Sequence, residues 1–292
     1  MFRIGIIGTE NTHALTFAKL INLPDEKTGK LRYPDAKIVG VYGPDLTSAT
    51  QIVNEAKAEF IAENPDDFFG KVDAMIITCR KGSLHAQYAM PFIKKGIPCF
   101  VDKPFTVDTK EAIALIEEAK KNNVALSGGS GCKFAYDVTL LQNEVEIMAK
   151  AGGMITGCIN FPADADSEYD GFFFYAPHLV EMALAIFGFD VKTVVSYEKN
   201  KSRICLFRYE NYDITLCFTK DAKQFTAVLY GTEKNVVRNI DITFIFKQEV
   251  EHYIHMLRTG EMPQSYEELV KPVTVIHAIE EAIRTGKETE VK

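Results

Sequence analysis

Cys99-Phe100-Val101-Asp102-Lys103-Pro104-Phe105 is a short apolar run that ends in an acid, a lysine and a proline. Such a run is typical of a buried strand, and ligands of α/β proteins bind where these strands end. Proline restricts the preceding residue to extended conformations, so we expect Lys103 to be held at the strand end with its ammonium group in a crevice. Taken alone, the tripeptide favours an ordinary surface turn, so its interpretation depends on the surrounding sequence.

Apolar runs alternate with helical periodicity on both sides of this segment. The predicted strands cover residues 3–7, 37–42, 73–78, 98–101 and 124–127, and the predicted helices cover residues 12–22, 46–60, 84–95 and 109–122. This alternation predicts successive βαβ units around a parallel sheet. The Asp-Lys-Pro segment then follows the fourth strand of an α/β domain.

The pattern changes near residue 128, after the glycine-rich run Ser127-Gly128-Gly129-Ser130-Gly131, which suits a hinge or a ligand loop. Strand-like runs at 154–161, 192–197, 203–209, 214–219 and 226–231 predict an antiparallel meander, and helices are predicted at 136–149, 246–259 and 266–285. We therefore predict an α/β domain over 1–127 and an α+β domain over 128–292, leaving open whether the final helix packs back on the first.

Composition excludes several functional classes. The chain has 292 residues, 47% of them hydrophobic, and a net charge of −7, which argues against a nucleic-acid-binding surface. No apolar run reaches membrane-spanning length, and no secretory leader is recognisable. The six cysteines form no C-x-x-C pair, which favours reduced thiols in a cytoplasmic protein. His252 and His255 lack a suitably spaced third ligand, so no metal site is predicted.

The turn after the first strand is the expected place for a dinucleotide fingerprint, but its sequence departs from that pattern. If Gly8 is the first glycine, Glu10 and His13 occupy the second and third glycine positions. A carboxylate there is bulky and repels a diphosphate, and Gly43-Pro44 replaces the acid that usually follows the second strand. A structural turn and a cofactor loop therefore remain equally open. Asn11, Thr12 and the helix N–H groups would hold phosphate if Glu10 turns away.

Four segments in order resemble the glucose–fructose oxidoreductase/inositol dehydrogenase (Gfo/Idh/MocA) family over essentially the whole chain. They are Thr78 to His85, Asp102-Lys103-Pro104 in place of Glu-Lys-Pro, His178-Leu179-Val180-Glu181 in place of His-x-x-Asp, and the closing helices from Phe246 to Ile283. The resemblance implies an N-terminal Rossmann domain, an open and mostly antiparallel second sheet, an NAD or NADP cofactor, and a homodimer or homotetramer built through that sheet. The implied cofactor-binding residues are Gly8, Thr9, Glu10, Asn11, Thr12, Thr78, His85, Asp102 and Lys103.

His178 is the candidate general base. An aromatic loop leads into Pro177, which suits the first turn of a helix, and the positive helix end favours a neutral imidazole at His178. Glu181 follows three residues later on the same face and would orient the ring, although a glutamate replaces the aspartate of the family. By the resemblance, His178 accepts the substrate hydroxyl proton and Lys103 polarises the substrate oxygen.

Lys133 and Tyr175 are expected to contact a small-molecule substrate. The sequence is compatible with two functions. The favoured one is an NAD(P)-dependent oxidoreductase acting on a CH–OH group of a sugar, polyol or related compound. The alternative is a non-catalytic or cofactor-free relative that binds a small ligand in the same place, and it is motivated by Glu10 and His13.

Overall fold

The computed structural model describes residues 1–200, 202–221 and 223–292. The strands are β1 Phe2–Ile7, β2 Ala36–Tyr42, β3 Phe60–Ile61, β4 Ala74–Ile77, β5 Cys99–Asp102, β6 Leu126–Gly129, β7 Met154–Phe161, β8 Thr193–Lys199, β9 Ser202–Arg208, β10 Asp213–Thr219, β11 Thr226–Gly231, β12 Asn235–Asn239 and β13 Thr289–Glu290. The α-helices are α1 Thr12–Asn22, α2 Leu46–Ala56, α3 His85–Lys94, α4 Thr109–Asn122, α5 Tyr136–Lys150, α6 Ala176–Phe187, α7 Ile245–Thr259 and α8 Tyr266–Thr285.

The described residues group into two units. The first contains residues 1–129 and 246–269, and the second contains residues 130–245 and 270–292. Across the described ranges, no helix combines the length and the apolar character needed to cross a membrane.

The first unit contains a six-stranded parallel sheet in the order β3-β2-β1-β4-β5-β6. This arrangement confirms the predicted Rossmann-type sheet. The strand order reverses between β1 and β4, and dinucleotides bind beyond the carboxyl ends of the strands at such a switch point. The short apolar strand β4 is buried throughout, as expected for a strand covered on both faces.

The helix predicted over 46–60 is shorter than expected. Helix α2 ends at Ala56 because Lys57 adopts a left-handed conformation with φ 60°. Phe60 and Ile61 then form β3, which pairs with β2 at the sheet edge. Helix α7 packs on the core of this unit through Val250 and Ile254.

The second unit contains a seven-stranded mixed sheet in the order β12-β11-β7-β10-β9-β8-β13. The prediction of an open and mostly antiparallel sheet is confirmed, but the prediction of a simple meander is wrong. Strands β8, β9 and β10 form a meander, whereas β7 lies parallel to β10 and separates it from β11. Turn residues indicate only which consecutive strands pair, so this long-range insertion leaves no local signal.

One face of this sheet is covered by α6, which contacts β7 and β10. Ile214, Leu216 and Phe218 of β10 are buried at every second position, as a strand with one covered face requires. Helix α6 is apolar around nearly its whole circumference, and its buried residues include His178 and Glu181. These two side chains are therefore held in a packed interior.

Candidate functional site

The turn between β1 and α1 requires glycine at position 8. Gly8 has a φ of +107°, and a Cβ built there would lie 2.3 Å from the backbone nitrogen of Cys79. The Thr78 hydroxyl donates hydrogen bonds to the carbonyls of Ile7 (3.2 Å) and Gly8 (3.1 Å). The loops that follow β1 and β4 are thus tied together at the carboxyl edge of the sheet.

Thr9, Asn11 and Thr12 occupy different environments in this turn. Thr9 is buried, and its hydroxyl lies 2.7 Å from the Ser48 hydroxyl at the start of α2. Asn11 caps α1 by accepting a hydrogen bond from the backbone N–H of His13 at 3.1 Å. Thr12 is exposed, and the first turn of α1, which the structure describes in full, contains no acidic residue. Within its first turn, this helix end therefore adds no negative charge that would oppose an anion at its N–H groups.

Glu10 turns toward the loop after β4. Its Oε1 accepts a hydrogen bond from the backbone N–H of Arg80 at 2.9 Å, and Arg80 Nη2 donates to the Glu10 carbonyl at 2.6 Å. The second oxygen, Oε2, is buried without a hydrogen bond from any residue within the described ranges. The carboxylate that interrupts the glycine pattern is thus held by a neighbouring loop. Arg80 was not among the predicted site residues, because a basic residue after a strand usually belongs to a solvated turn.

His13, which is partly buried, contacts the fully buried Asp102. His13 Nδ1 lies 2.7 Å from Asp102 Oδ2, and Asn11 Nδ2 donates to the same oxygen at 3.3 Å. Asp102 is fully buried, and burial acts to raise its pKa. The charges of His13 and Lys103, together with the His13 hydrogen bond, outweigh burial and hold the pKa of Asp102 below its usual value. The carboxylate is therefore ionised at neutral pH.

His85 lies beneath the same edge of the sheet. It is fully buried, with Nδ1 2.7 Å from the Pro104 carbonyl and Nε2 2.8 Å from the Cys79 carbonyl. Burial lowers the pKa of His85. Each ring nitrogen lies close to a backbone carbonyl, and the one N–H of the neutral ring donates to one of the two, so His85 supports the loops that carry Thr78 and Lys103. Lys103 is itself 5% exposed and precedes Pro104 through a cis peptide bond.

In the second unit, the ring of His178 is held by Ser130. His178 lies in the first turn of α6, and its Nδ1 is 2.7 Å from the Ser130 hydroxyl and 3.4 Å from Cys132 Sγ. The Ser130 hydroxyl also accepts a hydrogen bond from the backbone N–H of Cys132 at 3.1 Å. The aromatic rings of Phe161 and Tyr175 lie 5.4 Å and 5.6 Å from the imidazole. The position and tilt of the ring are therefore well defined.

Glu181 binds the backbone of Ser130, the residue whose hydroxyl contacts the His178 ring. Its two oxygens accept hydrogen bonds from the backbone N–H of Ser130 at 2.8 Å and 2.9 Å. Lys133 Nζ lies 2.8 Å from Glu181 Oε2, and both side chains are largely buried. Lys133, predicted as a substrate contact, is thus placed in an ion pair, and Tyr175 is 39% exposed. Ser130 was missed as a site residue, although the glycine-rich run that contains it was recognised as a loop.

No cluster of three or more His, Cys, Asp or Glu side chains suited to a metal ion occurs among the described residues.

Comparison with known proteins gives a family match for part of the chain and a fold for all of it. Residues 2–130 match GFO_IDH_MocA, described as an oxidoreductase family with an NAD-binding Rossmann fold. UDP-N-acetylglucosamine 3-dehydrogenase of Acidithiobacillus ferrooxidans is 30% identical over 94 residues, which are 32% of this chain and 29% of that protein. The chain thus spans less than a third of that relative in the match.

Two solved structures share the complete fold. Scyllo-inositol dehydrogenase of Lactobacillus casei, solved with NAD(H) and scyllo-inositol, superposes with a TM-score of 0.84 at 14% identity and covers 100% of this chain and 99% of its own. A myo-inositol dehydrogenase of Corynebacterium glutamicum gives a TM-score of 0.82 at 17% identity, with coverage of 100% and 99%. At these identities the likeness establishes the fold alone.

Proposed function

We propose that this chain, whose residues 2–130 match the GFO_IDH_MocA oxidoreductase family, is an NAD-dependent oxidoreductase acting on a hydroxyl-bearing carbon of a sugar or polyol. The observation that carries the proposal is the imidazole of His178. It is held at Nδ1 by a buried serine and lies in the first turn of α6. The alcohol class is supported by the names of the sugar and inositol dehydrogenases that the chain resembles.

The residues of the first unit fit a dinucleotide. Gly8 keeps the turn free of a side chain, and the helix end after it contains no acid in its described first turn. The Glu10 carboxylate accepts a hydrogen bond from the backbone N–H of Arg80, which holds it toward the loop after β4 and away from the expected diphosphate. Residues 8–12 would hold the diphosphate, and Asp102 and Lys103 would lie near the reacting end. When bound, NAD supplies the hydride acceptor for alcohol oxidation.

The protein residues supply binding and proton transfer. His178 takes the proton of the substrate hydroxyl through Nε2, since Nδ1 is the nitrogen that Ser130 contacts. Lys103, by its resemblance to the family motif, would polarise a substrate oxygen and stabilise the charge that develops there. Glu181 and Lys133 hold the segment that carries Ser130, and Tyr175 borders the imidazole.

The alternative function is a cofactor-free relative that binds a small ligand. It is favoured by Asp45, which caps α2 through Ser48 N at 2.8 Å and therefore does not take the place of the missing ribose-binding acid. NAD remains the better cofactor assignment because Gly43-Pro44-Asp45 contains no arginine for the 2′-phosphate of NADP.

Calorimetric titration with NAD, NADH, NADP and NADPH tests the proposal. We expect NAD and NADH to bind in the micromolar range and the phosphorylated forms to bind more weakly. Absorbance at 340 nm then follows turnover with inositols and with nucleotide sugars. His178→Asn is expected to retain NAD binding and to lose turnover. An absence of NAD and NADH binding at millimolar concentration would refute the oxidoreductase proposal. Titration of Glu10→Gly would then show whether removing the carboxylate creates cofactor binding.

We also propose that the second unit forms a homodimer or homotetramer through the uncovered face of its sheet. Large apolar side chains stand exposed on this face at Tyr197 (68%), Ile204 (50%) and Val237 (69%). An apolar sheet face of this kind is typical of an interface between copies. Light scattering should give a mass of two or four chains for the wild type and a smaller mass for Ile204→Lys.

A further inference from the structure

We propose that Arg80 belongs to the cofactor-binding loop, where it holds Glu10 aside and directs its guanidinium group to the diphosphate of a dinucleotide. The inference rests on the proposed NAD-dependent function and deepens it. It identifies the residue that allows a carboxylate to occupy a fingerprint glycine position.

The first argument is topological. Glu10 follows β1 by three residues, Arg80 follows β4 by three, and the strand order reverses between these two strands. Dinucleotide diphosphates bind beyond the carboxyl ends of strands at such a reversal. A cationic side chain in the loop after β4 is therefore placed beside the expected diphosphate.

The second argument is the reciprocal contact between the two loops. The Glu10 carboxylate accepts from the Arg80 backbone N–H, and the Arg80 guanidinium donates to the Glu10 carbonyl. The close approach of Gly8 to the Cys79 nitrogen and the two hydrogen bonds of Thr78 fix the spacing of the loops. The Glu10 carboxylate is thus held by the backbone N–H of residue 80, while the guanidinium group binds the Glu10 carbonyl, so truncating the Arg80 side chain leaves the hydrogen bond to the carboxylate in place.

The third argument is charge. A diphosphate carries two negative charges, and the Glu10 carboxylate adds a third next to it. A guanidinium group in the same loop pair offsets the carboxylate, and its planar set of donors suits phosphate oxygens. Glu10 Oε2 is buried without a hydrogen bond from any described residue. A neighbouring cation therefore stabilises the carboxylate more than it would if both oxygens were hydrogen-bonded.

The test is a double-mutant cycle read by NAD and ADP-ribose affinity in isothermal titration calorimetry, independently of turnover. Arg80→Ala is expected to weaken both ligands at least tenfold, while the Arg80 backbone N–H and its bond to Glu10 remain. Arg80→Lys should lose part of the affinity, because lysine retains the positive charge but lacks the planar set of donors of the guanidinium group. Combining Arg80→Ala with Glu10→Gln should recover part of the loss, because the uncompensated carboxylate is then removed.

Lys81→Ala is the matched control, since it removes a positive charge from the adjacent, exposed position. It is expected to change NAD affinity by less than about twofold, because exposed charges are strongly screened. Thermal unfolding of each variant establishes that it folds. Equal losses in Arg80→Ala and Lys81→Ala, or no loss in Arg80→Ala, overturn the role of Arg80 while leaving the oxidoreductase proposal intact. If the wild type binds neither ligand, both proposals fail.

Discussion

His13 Nδ1 lies 2.7 Å from Asp102 Oδ2 and joins the first turn of α1 to the end of β5. In the sequence, histidine at the third fingerprint position and aspartate in place of the family glutamate are two separate departures. In the structure they are one contact, in which a longer side chain at position 13 meets a shorter one at position 102. The departures therefore compensate each other and do not by themselves indicate a lost site.

His13→Ala is expected to lower the free energy of unfolding by about 3 kcal/mol, because it removes the 2.7 Å partner of a fully buried carboxylate. Urea denaturation measures the change. His255→Ala serves as the control, since that ring is 57% exposed and pairs only loosely with Glu261 at 3.4 Å. Equal stability of the two variants would contradict a structural role for the His13–Asp102 pair.

The same pair predicts a pH dependence of stability. The pKa of Asp102 is lowered in the folded protein, so its contribution is complete above the unfolded-state pKa of about 3.9 and is lost as the pH falls through the lower folded-state pKa. Asp102→Asn should therefore be less stable than the wild type at neutral pH. The difference should narrow below about pH 4. A constant difference across this range in urea denaturation would rule out the ionised pair as its origin.

Gly8→Ala is expected to destabilise the first unit by about 3 kcal/mol or more, because the new Cβ would meet backbone atoms and φ is positive. Gly29→Ala is a matched control. Its φ of +66° carries the same kind of strain, but nothing lies within 4 Å of the added carbon, so the cost should be about 1 kcal/mol. Similar unfolding midpoints for the two variants would show that the close approach to Cys79 is dispensable.

Ser130→Ala is expected to lower kcat by roughly 10- to 100-fold, because the His178 ring loses its 2.7 Å contact and a small misplacement of a catalytic group is costly. KM for the alcohol should change little. Ser167→Ala removes a serine hydroxyl that accepts from Tyr169 N in the same unit, and it should leave kcat near the wild-type value. A change confined to KM would argue against a positioning role.

Glu181→Asp restores the residue type of the family motif, yet we expect it to impair this protein. The side chain is one methylene shorter, so one carboxylate cannot keep both its bonds to Ser130 N and its ion pair with Lys133. The expected loss is about 2 kcal/mol of stability together with a lower kcat. Denaturation and steady-state kinetics would refute this expectation if the aspartate variant matched or exceeded the wild type.

Local sequence patterns determined most of the secondary structure. The bounds of α1, α4, α8 and β7 agree with those predicted from periodicity and capping residues. These signals lie within a few residues of each element, so they can be recognised along the chain. The exceptions among the strands are the short edge strands β3 and β13 and the polar strand β12, which have little apolar pattern of their own.

The sequence by itself also predicted which side chains would carry the chemistry, and the structure places them where it expected: Lys103 after a buried strand and His178 in the first turn of a helix. The tertiary structure alone decided which side chains of the candidate site contact each other. Ser130 and His178 are 48 residues apart, His13 and Asp102 are 89 apart, and Glu10 and Arg80 are 70 apart. The parallel pairing of β7 with β10 likewise joins segments that are far apart in the sequence. Periodicity and turn propensity act over a few residues, whereas these contacts depend on how strands and helices pack, which no local pattern encodes.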